Sequence, residues 1–192
     1  KMIKQKNYLN YLVLFIIIFS TVKYHNVYNS NRKFIDLQNV NLSNSLPAKQ
    51  ISTKFRNLEW ITPVYSEKVV TEINFLKKSL EILRSDKRTK MVISDYQIFS
   101  VLLEEDLNIP NRWYTNDNNS YPLKNHKYFS FYEKFINNSI KNNEIDVIYI
   151  INSTANNDIN FLNFKSYLSS ICFKDKYIIK DFISSHEIIK CN

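Results

Sequence analysis

Residues 146–151 read DVIYII, a nearly continuous apolar run that predicts a β-strand. A strand with one face in water alternates apolar and polar residues, whereas an uninterrupted apolar run is typical of a strand covered on both faces. The run therefore predicts an interior strand of a sheet. Residues 128–141 precede it and carry apolar side chains at helical spacing, which predicts a helix packed on that sheet.

The alternation of strand and helix continues outward from this pair. Residues 90–94 (KMVIS) predict another strand, which enters directly on Asp95 and Tyr96. Such alternation is typical of an α/β domain with a mainly parallel sheet and helices on both faces. The sequence therefore predicts a small three-layer α/β domain with an antiparallel edge. The remaining predicted elements are a strand at 58–62, a helix at 66–84 with Ser66 as N-cap, helices at 97–105 and 161–170, and closing strands at 176–182 and 186–191.

A hydrophobic segment precedes this domain. Sixteen uncharged residues, NYLNYLVLFIIIFSTV, lie between Lys6 and Lys23. As a helix they span roughly 24 Å at about 1.5 Å per residue, slightly less than the bilayer core of about 30 Å. The flanking lysines can extend toward the two interfaces. We therefore expect a transmembrane helix with basic flanks at 1–23, a linker at 24–57 and a soluble α/β domain at 58–192.

Two other interpretations of the hydrophobic segment are open: a secretory signal peptide and a buried helix of a soluble protein. The signal peptide would use the preceding lysines as its basic region, but it lacks a small-x-small cleavage site. The run is apolar on all sides, as lipid exposure requires and as an amphipathic surface helix would not show. The transmembrane interpretation fits the pattern best.

Orientation is indicated by charge and by cysteine. Positive charge is denser before the hydrophobic segment than after it, which favours a cytoplasmic N-terminal side. Cys172 and Cys191 are the only two cysteines, and a disulfide between them would place the domain in an oxidising compartment. The alternative is two unrelated buried thiols. We therefore expect the domain to face away from the cytoplasm.

Glycine is absent from the chain. The phosphate-binding P-loop, the dinucleotide fingerprint and the nucleophile elbow all need glycine, so none can be present in its standard form. We expect asparagine to take over some of the positive-φ positions that glycine usually fills. The three histidines are scattered and do not have zinc-ligand spacing. The sequence predicts neither a metal nor a cofactor in this part of the protein.

The formal net charge of +8 raises the question of an anionic partner. Lys1, Lys4, Lys6 and Lys23 flank the hydrophobic segment, and without them the excess is +4. The other basic residues are dispersed, and no aromatic-basic signature of RNA binding accompanies them. We therefore expect the membrane bilayer as a partner and no nucleic acid.

Two polar and aromatic clusters lie where α/β folds tend to place ligands, beyond the carboxyl ends of strands. A guanidinium beside aromatic rings could hold a sugar, a carboxylate or a lipid phosphate. The alternative is structural: Asp95 caps the following helix, and Trp113 and Tyr114 close the end of the core. The candidate ligand-binding residues are Asp95, Tyr96 and Gln97 in the first cluster and Arg112, Trp113 and Tyr114 in the second.

Catalytic alternatives are few. Glu104, Glu105 and Asp106 resemble an acid pair but have no visible positioning partner, which favours surface charge. Cys172 as a nucleophile would need a nearby histidine such as His186. A disulfide with Cys191 is the stronger hypothesis, so the sequence offers no catalytic residue.

The order of features resembles a known group of membrane proteins. A hydrophobic span and a linker are followed by LEWITPVYSE (58–67), KMVISDYQIFS (90–100), NIPNRWYT (108–115), DVIYII and a terminal SHEIIKC (185–191). This arrangement looks like the C-terminal extracytoplasmic domain of bacterial multi-spanning glycosyltransferase-like membrane proteins. Those are similar to the dolichyl-phosphate-mannose protein mannosyltransferases and the lipid A aminoarabinose transferases of the GT-C type.

The resemblance implies transfer of a sugar from a polyprenyl-phosphate donor on the extracytoplasmic face of the bacterial inner membrane. The catalytic acidic residue of such transferases lies in the first outer loop of the full protein, so this sequence would be a C-terminal fragment and its domain accessory. The alternative is a non-catalytic cell-envelope binding domain on a single-pass anchor. The two differ in whether further hydrophobic spans and an acidic outer loop are encoded upstream.

Overall fold

A computed structural model of the chain describes residues 2–27, 37, 39–111, 121–153, 164–179 and 182–191. Helices and strands are interspersed between residues 59 and 151, and two further strands follow. Short 3-10 turns at Leu42–Asn44, Ala48–Gln50 and Thr53–Phe55 precede the main elements. The helices are α1 Met2–Tyr24, α2 Val69–Ser85, α3 Phe99–Leu103 and α4 Phe129–Asn142, and the strands are β1 Leu46–Pro47, β2 Glu59–Trp60, β3 Lys90–Ser94, β4 Val147–Ile151, β5 Cys172–Ile179 and β6 Ile183–Ile189.

Helix α1 contains the hydrophobic segment. The span Tyr8–Val27 is long and apolar enough to cross a membrane, and none of it is buried against the rest of the protein. Its apolar side chains are exposed on every side, with Phe15 at 65% and Ile17 at 56%. A core helix would be mostly buried, so that interpretation does not fit. A signal sequence near the N-terminus meets the same criteria of length and apolar composition, so the helix fits that interpretation as well.

The main sheet has the strand order β3-β4-β6-β5. Strands β3 and β4 are parallel, whereas β4 with β6 and β6 with β5 are antiparallel. The α/β class therefore holds, but the prediction of a mainly parallel sheet is wrong for the described strands. Only three residues separate β5 from β6, and a parallel return needs a crossover of about a dozen residues or more.

Strand β4 lies between two hydrophobic clusters. Val147, Tyr149 and Ile151 point into a cluster with residues of α2 and α3. Ile148 and Ile150 point the other way, into a cluster with residues of α4. All residues of β4 are buried, which is the reason its sequence does not alternate. Helices thus cover both faces of the sheet at this strand.

Several element boundaries differ from the predicted ones. Helix α2 begins at Val69 after Lys68, which makes no side-chain cap bond, so the prediction of Ser66 as N-cap is wrong. Strands β5 and β6 both begin earlier than the predicted closing strands, because the chain turns back before Ile183. In the predicted helix at 161–170 only Phe164 and Lys165 are helical among the described residues, and turns follow them.

Packed structure also begins before residue 58. Ala48 and Ile51 are buried, and β1 pairs with β2 in an antiparallel ribbon. The backbone N–H of Ala48 donates to the carbonyl of Leu58. The part of the predicted linker that follows residue 45 is thus packed with the domain.

Positive φ occurs in the described residues at Asn108, Glu104 and Glu144. Asn108 agrees with the expectation that asparagine replaces glycine at such positions. Its backbone N–H donates to the Asp106 carboxylate, and its side chain donates to the Lys90 carbonyl. The two glutamates show that this chain also places residues in the left-handed region that lack the short, locally hydrogen-bonding side chain of asparagine.

Alkaline pH is expected to destabilise the fold through buried tyrosines. The Tyr167 hydroxyl donates to the Pro122 carbonyl at 2.6 Å, and burial raises the pKa of Tyr167 from 10.0 to about 12. Below pH 10 the hydroxyl is protonated in both states, so its contribution is complete. Between pH 10 and 12 the unfolded chain loses this proton and the folded chain keeps it, so the free energy of unfolding falls.

The measurement is the urea midpoint of the chain in detergent micelles at pH 9, 10 and 11. The midpoint of Tyr167→Phe should decline less steeply than that of the unsubstituted protein. Part of the decline should remain, because burial also raises the pKa of Tyr96 and Tyr149. Equal slopes in the two proteins would contradict the assignment to Tyr167.

Candidate functional site

The parallel strands β3 and β4 end at the same edge of the sheet. Asp95 follows β3 and Ser153 lies two residues beyond β4, and the Ser153 hydroxyl donates to the Asp95 carboxylate at 2.5 Å. The Tyr65 hydroxyl donates to the Ser153 carbonyl, also at 2.5 Å. Asp95, Gln97 and Tyr65 are half-buried. We call these four residues, Tyr65, Asp95, Gln97 and Ser153, the strand-end cluster.

The strand-end cluster is held in place by local hydrogen bonds. The Ser94 hydroxyl accepts from the backbone N–H of Tyr96 at 3.0 Å, and the Gln97 amide donates to the Ser94 carbonyl at 2.9 Å. These bonds fix the turn that carries Asp95 out of the strand. Helix α3 begins after Ile98, which makes no side-chain cap bond. The predicted capping role of Asp95 is therefore not the arrangement observed.

A buried carboxylate lies behind this cluster. Glu72 of α2 is 1% exposed and accepts hydrogen bonds from three side chains. Its Oε2 accepts from Trp60 Nε1 and from Thr62 Oγ1, both at 2.9 Å, and its Oε1 accepts from the Tyr96 hydroxyl at 2.8 Å. We call this set the Glu72 network. The network joins α2, β2 and the end of β3.

The negative charge of Glu72 also affects the neighbouring phenols. Burial, followed by Glu72, raises the pKa of Tyr96. The same two causes, in the same order, raise the pKa of Tyr65. Both hydroxyls therefore stay protonated at neutral pH and act as hydrogen-bond donors. The Tyr65 proton is used on the Ser153 carbonyl and the Tyr96 proton on Glu72, so both phenols fix the structure around Asp95.

The sequence predicts Asp95, Tyr96 and Gln97 at the end of a strand, and in the structure they directly follow β3. The Tyr96 side chain lies in the core rather than facing a ligand. Glu72 was missed, although it lies at helical spacing from the buried Val69 and Leu76, and a carboxylate on an apolar stripe is a usable signal. The second predicted cluster, Arg112, Trp113 and Tyr114, lies outside the described residues.

The acidic run after α3 has structural partners. Glu104 lies 2.7 Å from the Lys54 ammonium. Glu105 pairs with the buried Lys90, and Asp106 accepts from the backbone of Asn108. Each of the three acidic residues thus has a partner within the fold.

A second polar cluster lies on the hairpin of β5 and β6. The His186 ring is 1% exposed, and both of its nitrogen atoms have partners. Nε2 lies 2.8 Å from the Ser184 hydroxyl, and Nδ1 lies 2.9 Å from the Asp175 carboxylate. Burial lowers the pKa of His186, although the neighbouring Asp175 opposes this effect. We call this set the hairpin relay.

The two cysteines close the same hairpin. Cys172 and Cys191 are joined as a disulfide, with Cα atoms 5.2 Å apart. Cys172 is therefore not a free nucleophile, and the ring nitrogens of His186 contact Ser184 and Asp175. Among the residues that the structure describes, no group of three or more His, Cys, Asp or Glu side chains could hold a metal ion.

Comparison with known proteins adds no relative: no family model, no curated protein and no solved structure matches this chain.

Proposed function

We propose that this chain is an accessory extracytoplasmic domain of a glycosyltransferase-like membrane protein, and that its strand-end cluster binds the sugar of a polyprenyl-phosphate-linked donor. The observation that carries this proposal is the hydrogen bond between Ser153 and Asp95, which joins the carboxyl ends of two adjacent parallel strands. Ligands of open α/β sheets bind in this position.

The chemistry of the cluster suits a sugar. Sugar hydroxyls donate to carboxylates and accept from amides, and the half-buried Asp95 and Gln97 supply one of each. The half-buried Tyr65 adds aromatic surface at the same edge, where the apolar face of a sugar ring can pack. A few convergent polar groups beside aromatic side chains are typical of small-molecule sites.

Membrane attachment and orientation belong to the same proposal. Helix α1 has the length and composition to span a bilayer. The lysines on the N-terminal side of the hydrophobic segment favour a cytoplasmic location for that side. The disulfide between Cys172 and Cys191 supports an oxidising compartment for the domain. A domain held outside the inner membrane would meet lipid-linked sugars at the bilayer surface.

Replacing Asp95 by alanine is expected to weaken binding of a polyprenyl-phosphate sugar about tenfold, because the lost hydrogen bond to a charged group is worth about 1.4 kcal/mol. Binding is measured by titrating the full chain in lipid nanodiscs with a panel of such sugars. Glu67→Ala is the matched control, since Glu67 is exposed and lies just before α2. Equal affinity of Asp95→Ala and the unsubstituted chain would reject the strand-end site.

The coding sequence upstream of Lys1 separates this proposal from its alternative. A transferase requires several further hydrophobic spans and an outer loop with an acidic residue. A start codon immediately before Lys1 would instead support a non-catalytic, single-pass envelope domain, for which the one candidate span in the described residues would suffice.

A further inference from the structure

The hairpin relay is fixed by the backbone. Ser184 and His186 are two residues apart on β6, so their side chains lie on the same face of the sheet. Asp175 of β5 is the direct cross-strand partner of His186, and side chains in that relation are adjacent. The register of the two strands therefore places a hydroxyl, an imidazole and a carboxylate next to one another on the same face of the sheet.

The hydrogen bonds determine which atoms carry the protons. A carboxylate can only accept, so Nδ1 of His186 must donate to Asp175. Burial lowers the pKa of His186, which favours the neutral ring, and a neutral ring with a proton on Nδ1 has none on Nε2. Nε2 is then an acceptor, and the Ser184 hydroxyl must donate to it. The serine proton thus points at a base that a carboxylate orients.

We propose that Ser184 is a nucleophile activated by His186 and oriented by Asp175, and that the hairpin relay cleaves small uncharged acyl esters. The Ser184 oxygen bonds to the acyl carbon and its proton moves to Nε2 of His186. The bond between that carbon and the alcohol oxygen breaks, and the alcohol leaves with the proton from Nε2. Water, deprotonated by the same nitrogen, then attacks the acyl carbon; the bond from that carbon to Ser184 breaks, the serine oxygen takes the proton back from Nε2, and the acid leaves.

The surroundings of Ser184 allow a substrate to approach. Ser184 is half-buried, and its partners on the two neighbouring strands are Ile150 and Tyr177. Ile150 is 2% exposed and lies beside Ser184 on β4, whereas Tyr177 is 73% exposed and presents an aromatic ring at the edge strand. An apolar acyl group fits this pair better than a charged one. The proposal does not depend on sugar binding at the strand-end cluster.

A fluorophosphonate probe tests the nucleophile directly in the full chain in detergent micelles. The Ser184 oxygen should bond to phosphorus, fluoride should leave, and His186 should take the proton. Peptide mass mapping should then find the adduct on Ser184. An unmodified Ser184 in the folded, unsubstituted protein would overturn the proposal and leave the relay as a purely structural network.

Substituted proteins show whether Ser184 reacts because its partners activate it or only because it is exposed. Ser184→Ala should abolish labelling and the turnover of 4-nitrophenyl butyrate above background. Asp175→Asn should slow labelling at least tenfold, because an amide can donate to Nδ1 and so favour the wrong tautomer. Ser85→Ala, which alters an exposed serine at the end of α2, should label normally. Labelling of folded Asp175→Asn at the full rate would overturn the relay, and circular dichroism verifies folding of each variant.

Discussion

Replacing Glu72 by alanine is expected to lower the free energy of unfolding by about 3 kcal/mol. The substitution removes the acceptor of three hydrogen bonds, from Trp60, Thr62 and Tyr96. The Tyr96 residue is 8% exposed, so its hydroxyl cannot turn to bulk water for a new partner. Leaving a buried donor unsatisfied costs more than an ordinary hydrogen bond contributes.

The measurement is urea unfolding of the chain in detergent micelles, followed by circular dichroism. Glu81→Ala is the matched control on the same helix, because the Glu81 side chain is 75% exposed and its carboxylate lies 3.9 Å from the Lys78 ammonium. We expect the control to change stability by less than about 0.5 kcal/mol. Similar losses in both variants would mean that the Glu72 network does not hold the domain together.

Glu72→Gln gives a finer test of the same network. Its amide keeps the shape of the side chain but replaces one acceptor oxygen with a donor group. With its oxygen toward Trp60 and Thr62, the amide would place its nitrogen against the Tyr96 hydroxyl, so only one of the three donors loses its acceptor. The loss of stability should therefore fall between those of Glu81→Ala and Glu72→Ala. A glutamine variant as unstable as the alanine variant would point to charge rather than to hydrogen bonding.

The sequence could predict the interior strands because their signal is local. Strand β3 has the predicted bounds, and β4 differs by one residue, since both are short apolar runs that become buried on both faces. Asp95 could be placed at the edge of the sheet for the same reason, because it directly follows such a run. The sequence thus predicts those features of the fold that depend only on a short run of neighbouring residues.

The Glu72 network could not be predicted in this way. Its members Trp60 and Tyr96 are 12 and 24 residues from Glu72 and come from different elements. Only packing of α2 against the sheet brings them together. No spacing rule connects an indole, a phenol and a carboxylate across that distance, although the position of Glu72 on a buried helical stripe marks it as a residue that needs partners.

The hairpin relay was missed because of strand boundaries. The predicted closing strands at 176–182 and 186–191 leave Ser184 in the turn and Asp175 outside any strand. The observed strands pair Asp175 with His186 and place Ser184 within β6. Side-chain alternation has a period of two, so the faces that residues share depend on which residues belong to a strand. An error of three or four residues at a boundary hid the entire cluster.

Reducing the disulfide between Cys172 and Cys191 is expected to lower the free energy of unfolding by about 3 kcal/mol, because the bond closes a loop and restricts the unfolded chain. The two cysteines are 19 residues apart, and Cys172 pairs with Ile189 where the hairpin opens. Strand β5 is at the edge of the sheet, and most of its central residues are exposed. The covalent bond thus holds a strand that little apolar burial retains.

Urea unfolding with and without reductant measures this loss, and the variant with both cysteines replaced by serine should match the reduced protein. The same bond reports on topology. On intact cells a membrane-impermeant maleimide should label the chain only after reduction, because the domain is proposed to lie outside the cytoplasm. Thiols that react without reductant, and only after the cells are opened, would contradict both the disulfide and the outward orientation. The same disulfide is therefore expected to stabilise the edge strand and to report the compartment in which the domain folds.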